Sequence, residues 1–149
     1  MLVAGLAPTP EGHALVLTDE AHRIIVPIFI GESEALAIAL RIERRVAPRP
    51  LTHDLLDTLV SRLGGRLVLV RIDDLRNDVF HAAVVVTRGG EVIEVDSRAS
   101  DAVVLAVGHG MAVYVAPGVI REAGVNAPRR AAPGHTPAKP LLPTETIDL

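Results

Sequence analysis

Arg49-Pro50-Leu51-Thr52-His53-Asp54-Leu55 sets a guanidinium, a hydroxyl, an imidazole and a carboxylate side by side. Pro50 stops whatever precedes it, and Leu55, Leu56, Leu59, Val60 and Leu63 then recur at helical spacing. A helix is therefore expected from here, with Thr52 as its N-cap. Unpaired backbone N–H groups at such a start favour anions, so the chemistry on offer is proton transfer by His53 beside a cation that holds a negative group. The plainer account is that Thr52 caps, Asp54 complements the positive helix end, and His53 and Arg49 are solvated.

A second stretch has the same make-up. In Asp96-Ser97-Arg98-Ala99-Ser100-Asp101-Ala102-Val103-Val104-Leu105-Ala106-Val107-Gly108 a polar cluster leads into an apolar helix. Ser97 or Arg98 is expected near the cap, Ser100 and Asp101 in the first turn, and Gly108 near the stop. A third feature is basic. Arg41, Arg44 and Arg45 lie at i, i+3 and i+4 with Arg49 soon after, a spacing that puts the first three on one helical face. They could contact a phosphate backbone, or simply suit a helix C-terminus.

The elements that must position these groups follow from periodicity. Leu2 to Leu6 is a short first strand closed by the turn-rich segment from Ala7 to Gly12. His13–Leu17 and Arg23–Ile30 read as a hairpin, with Pro27 at an edge or a bulge because it cannot donate to a ladder. Gly31 ends that strand, and Glu32, Ser33 and Glu34 open a helix reaching about Arg45. The two glutamates oppose a phosphate at this helix start and suit its dipole, though Glu34 is also placed to face a site. After the helix from His53 come Gly64-Gly65, a strand Arg66–Ile72 and a polar loop from Asp73 to Asp78. Val79–Val86 and Glu91–Asp96 make a hairpin about Gly89-Gly90, and His81 among apolar strand residues reads as structural. A last strand Met111–Val115 and a short helix Pro117–Ala123 follow. From Asn126 the Pro/Ala-rich composition predicts a disordered tail, giving a domain over 1–125 and a tail over 126–149. Strands in hairpins with helices between them predict an α+β fold, a mixed and largely antiparallel sheet packed against three or four helices, and disfavour a doubly wound nucleotide fold.

Composition bounds the functions. The chain has 149 residues, which suits one domain with its own core. With no cysteine, disulfides, thiolate metal sites and a cysteine nucleophile are excluded, and a reducing compartment is suited. No signal peptide or spanning segment is read, so a soluble, cytoplasmic protein without membrane contact is expected. The net charge of −3 means that any nucleic-acid binding must come from a local patch, and the scarcity of aromatic residues argues against a base-stacking platform.

Taken together, Ile28-Phe29-Ile30-Gly31-Glu32-Ser33-Glu34-Ala35-Leu36-Ala37-Ile38, the Arg49–Leu55 stretch and the Asp96–Ala106 stretch closely resemble the bifunctional nuclease (BFN) domain family in order and separation. The resemblance covers about Leu2 to Val125, with Ala99 standing where the family usually has proline. It implies an α+β fold, a homodimer, and nuclease activity on DNA and RNA, with the motif positions at Glu34, Arg49, Thr52, His53, Asp54, Arg98, Ser100 and Asp101.

Two readings follow. In the first, the protein hydrolyses phosphodiester bonds: His53, Asp54 and Asp101 are catalytic, and Arg49, Thr52, Arg98, Ser100, Arg41 and Arg45 hold the substrate. Asp101, Asp54 and Glu34 supply oxygen ligands for Mg²⁺ or Mn²⁺, with no organic cofactor. Neighbours on a helix point about 100° apart, so Asp54 is not expected to orient the His53 ring. A serine triad lacks its Gly-x-Ser-x-Gly elbow, and a zinc site lacks a histidine pair. In the second reading the protein is a homo-oligomeric binding or regulatory module, and Arg49 and Arg98 pair with Asp54, Asp101 or Glu34.

Overall fold

The computed structural model describes residues 1–127. In chain order the elements are β1 (Leu2–Thr9), β2 (Gly12–Thr18), β3 (Ile24–Ile30), α1 (Glu32–Ile42), α2 (Thr52–Arg62), β4 (Gly65–Arg76), β5 (Val79–Arg88), β6 (Glu91–Arg98), α3 (Ala99–Gly108), β7 (Val113–Val115), α4 (Pro117–Ala123) and β8 (Val125–Asn126). The fold is α+β: two four-stranded sheets, ordered β1-β2-β3-β8 and β6-β5-β4-β7, packed with four helices. Every pairing is antiparallel except that of β4 with β7.

The hairpins form where turn chemistry and alternation agree. Gly89 and Gly90 turn β5 into β6 with φ of 58° and 87°, the left-handed pair that a two-residue hairpin needs. Asn77 and Asp78 do the same between β4 and β5, with φ of 50° and 61°. The segment from Asp73 to Arg76, expected as loop, is therefore strand. Its polar side chains lie on a ribbon that continues past a register shift between Ile72 and Asp74. The ladder and the primed turn outweigh polarity here. β1 likewise runs on to Thr9, leaving a tighter turn than expected. Pro27 pairs with Val16, beyond the two residues of β3 that β8 covers, so the outer side of β3 at Pro27 is edge. Asn126 pairs with Ile24, and residues 128–149, where most of the expected tail falls, lie outside the described residues.

α3 is the centre of the core. Ala102, Val103, Val104, Leu105 and Ala106 are all buried, and the helix packs on α1 and against strands of both sheets. A helix apolar on every side has no solvent face to offer and is stable only when enclosed. Leu15, Leu17, Val26, Ile38, Val70, Ile72 and Val113 complete its surroundings. Each such side chain contributes roughly 1.5–3 kcal/mol on burial.

α2 is held differently, because none of its residues is buried. Leu55 is 55% exposed, Leu59 48% and Leu63 67%. The periodicity correctly gives a helix, yet its apolar stripe finds little cover within this chain. α2 therefore depends on polar contacts to keep its place, and those contacts contain the residues that could do chemistry.

Candidate active site

The two polar helix starts meet. Thr52 opens α2 as its first helical residue; Leu51, not Thr52, stands at the N-cap with extended φ and ψ. A leucine side chain cannot cap, so the job passes to Asp54, whose Oδ2 accepts from the Leu51 N–H at 2.9 Å. Asp54 is thereby turned away from its neighbour. His53 instead reaches across to α3, with Nε2 at 3.0 Å from Asp101 Oδ1, and its side chain is only 14% exposed.

Arg98, the N-cap of α3, closes the set from the other side. Its Nε and Nη2 donate to the two carboxylate oxygens of Asp101 at 2.7 and 3.1 Å, and its Nη1 donates to Glu34 Oε1 at 2.9 Å. Burial works against ionisation of Asp101, but the hydrogen bonds from Arg98 and then His53 outweigh it and hold the carboxyl below the ordinary carboxylate range. The same contacts, first with Asp101 and then with Glu34, raise the Arg98 pKa. His53, Asp101 and Arg98 thus form one hydrogen-bonded chain in which a fixed carboxylate sets the orientation of an imidazole.

This chain lies at an open cleft of about 730 Å³ between α2, α3 and the β4-β5-β6 face. Thr52, His53, Asp101 and Arg98 line it at one end, and Leu56, Val60, Leu67, Val84 and Val95 supply apolar walls. Arg66, on β4, also lines it and makes no ion pair among the described residues.

Other expected residues stand elsewhere. Arg49 is exposed in the segment joining α1 to α2 and does not line the cleft. Ser100 is buried in the first turn of α3, without a place on the cleft wall. The shared face expected for Arg41, Arg44 and Arg45 does not form, because α1 ends at Ile42 and Arg44 turns left-handed with φ of 54°. Arg45 is exposed and meets Glu43 at 3.4 Å. Arg41 points inward, 12% exposed, and donates to Asp54 at 3.0 Å and Asp57 at 2.8 Å. It ties α1 to α2 rather than presenting charge to solvent.

The expected metal ligands are also separated. Asp54 is engaged by Arg41 and Leu51, whereas Glu34 and Asp101 share the Arg98 guanidinium, which sits between the two carboxylates where a cation would be held. No group of three or more His, Asp or Glu side chains is arranged to hold a metal ion among the described residues. The donor set does not fit Mg²⁺ or Mn²⁺ as it stands, since either ion would have to displace the guanidinium.

The residues that sequence reasoning missed are Asp57, His109 and Arg66. Asp57 lies one turn after His53 on α2, and its Oδ1 is 3.1 Å from His109 Nε2 at the C-cap of α3. His109 follows Gly108 and reads in sequence only as part of a helix stop; the i, i+4 step from His53 to Asp57 was the one available signal.

A two-sheet α+β domain with a His–Asp–Arg chain at an apolar-walled cleft is the class that fold and site define. The chain belongs to the bifunctional nuclease domain family, whose model matches residues 15–128. It is 41% identical over 120 residues to an uncharacterized protein of Mycobacterium tuberculosis, covering 80% of this chain and 71% of that one. It is 26% identical over 108 residues to bifunctional nuclease 1 of Oryza sativa and to the bifunctional nuclease of Oryza minuta, covering 70% of this chain and 33% of each rice protein. Among the described residues, no helix is long and apolar enough to cross a membrane.

Proposed function

We propose that this domain cleaves phosphodiester bonds in nucleic acid, with His53 as the acid–base group, Asp101 as its orienting carboxylate and Arg98 as the first contact for phosphate. The observation that carries the reading is the His53–Asp101–Arg98 chain opening into the cleft, in a member of a nuclease domain family. A carboxylate that accepts from one imidazole nitrogen leaves the other to take or give a proton, and a guanidinium fork matches two phosphate oxygens. The Arg98 guanidinium already neutralises Glu34 and Asp101, two of the carboxylates that would hold a metal ion. The exposed leucines of α2 support a homodimer through that helix, and the cysteine-free sequence fits a cytoplasmic setting.

One observation favours a second reading, a non-enzymatic binding module: phosphate must compete with Glu34 and Asp101 for Arg98. The test is cleavage of plasmid DNA and of RNA by the purified protein in Mg²⁺, Mn²⁺ or EDTA, comparing wild type with His53→Ala and Asp101→Ala. Loss of an acid–base group should slow cleavage by about 10²–10⁴-fold. Undiminished cleavage by both folded variants, or none by wild type in any condition, would reject the nuclease reading.

A further inference from the structure

The polar end is a small part of the cleft. Beyond His53, α2 turns Leu56 and Val60 to the same side, about 4.5 and 10.5 Å further along its axis, and both line the cavity. Across from them stands one face of the sheet: Leu67 pairs with Val86 and Val84 with Val95, so strand alternation puts all four side chains together. The result is a slot with an aliphatic wall on each side and the His53–Asp101–Arg98 chain at its head. Such a space takes a flat apolar group and leaves a hydrated one outside.

The charges exclude a run of phosphates. Asp57, Asp96 and Asp101 stand around the cleft against Arg66 and Arg98, so with neutral imidazoles the carboxylates outnumber the guanidiniums. Arg98 is moreover shared between Asp101 and Glu34. A nucleic-acid backbone is followed along a groove of unopposed cations, and this cleft is not one. A single phosphate can be held at the polar end, and what comes next to it in a nucleic acid is a sugar and its base. The base is the part that aliphatic walls suit, and a cavity of about 730 Å³ has room for it. Because the chain has few aromatic rings, the base is enclosed from two sides instead of stacked on a platform.

We propose that this slot receives one unpaired base of the strand being cut, so that the substrate is single-stranded nucleic acid, with Leu56, Val60 and Val95 in contact with the base. This rests on the phosphodiesterase reading and narrows it. The walls recognise the base and not the sugar, so ribose and deoxyribose strands enter alike, and methyl groups do not read the sequence of hydrogen-bonding edges. A paired base is stacked within its helix and must be flipped out before it enters, which sets duplexes at a disadvantage. With one phosphate gripped, log K should fall with log salt at a slope of about −0.7, the value for one contact to a single strand.

The experiment has a binding arm and a cleavage arm, both on the full chain. Binding is followed with His53→Ala, which leaves the strand uncut, and a short strand of abasic tetrahydrofuran units carrying a single 2-aminopurine. The same strand without the base is the control. The base-bearing strand should bind at least about tenfold more tightly, with its fluorescence shifted to the blue by the apolar walls. Val60→Phe and Val95→Phe, one from each wall, fill the slot. Each, added to His53→Ala, should weaken the base-bearing strand by about tenfold and leave the abasic strand unchanged, a selectivity that a loosened α2 would not show. In the cleavage arm, wild type should cut a single strand of DNA or RNA with kcat/KM about 10²-fold above that for the same strand annealed to its complement.

Equal affinity for the strands with and without the base, unchanged binding by both folded Phe variants, or a salt slope steeper than about −2 would each overturn the proposal. Base affinity that falls as protein concentration rises would give the slot to a second copy of the chain and overturn it as well. Duplex cut as fast as single strand, by a protein that needs His53, would overturn it while leaving the phosphodiesterase reading intact. Base-selective binding with no cleavage of any strand by wild type would reject that reading and support the slot as a binding site for unpaired bases.

Discussion

Gly108→Ala should destabilise the protein and yet stabilise a variant that lacks Arg41. Gly108 is the last residue of α3, where alanine is favoured over glycine by about 0.5–1 kcal/mol on helix propensity. A Cβ there would overlap the Arg41 guanidinium. That group cannot swing aside freely, because it is bonded to Asp54 at 3.0 Å and to Asp57 at 2.8 Å. Moving it takes the shared cation away from two neighbouring carboxylates. Breaking a fully buried pair costs about 3–5 kcal/mol, and the 47% and 27% exposure of the two aspartates reduces this to about 2. The net loss in the wild-type background is then about 1–1.5 kcal/mol, a fall in Tm of about 3–6 °C. In Arg41→Met the same substitution should add about 0.5 kcal/mol. Urea unfolding of the four proteins closes the cycle. An effect of the same sign in both backgrounds would refute the claim that Arg41 pins α2 against the end of α3.

Asp101→Asn should flatten the acid limb of stability. The folded state holds this carboxyl below its ordinary value of 3.8, so the unfolded chain binds more protons as pH falls, and the stabilisation present above about pH 4 is lost on acidification through the folded value. Thermal unfolding across that range measures it, and an unchanged slope would contradict the ion-pair account. Leu59→Glu, on the exposed stripe of α2, should convert the proposed dimer to monomer in sedimentation equilibrium without altering the circular dichroism. Wild type already sedimenting as monomer would remove the dimer from consideration.

Much of the fold was legible because local signals agreed with global need. The Gly89-Gly90 hairpin, the helix through the leucines after Thr52 and the helix entered at Arg98 all combine turn or capping chemistry with periodicity. Where local signals conflicted, reading failed: Asp73–Arg76 is polar enough for a loop, but Asn77-Asp78 makes the tight turn that keeps it in register. At the site, the reasoning that Asp54 cannot serve its neighbour was sound, and the structure supplies Asp101 from 48 residues away. What could not be read were partnerships set by tertiary approach. Arg41 reads as a surface cation on its own helix and loses most of its exposure only because α2 brings Asp54 and Asp57 over it. His109 and Arg66 sit in no motif, and only the packing of α2 over β4 and α3 gives them a common cavity.

α3 carries Asp101 in its first turn and His109 just past its last, with the buried run Ala102–Ala106 between them. It therefore serves as a ruler. Drift among Ala102–Ala106 can alter how well the interior fits together, but not the span between Asp101 and His109, which a rigid rod fixes at about 1.5 Å per residue. A single inserted residue would do what many exchanges cannot, turning His109 about 100° out of alignment with α2. In this architecture length, more than identity, is the inherited quantity along that helix.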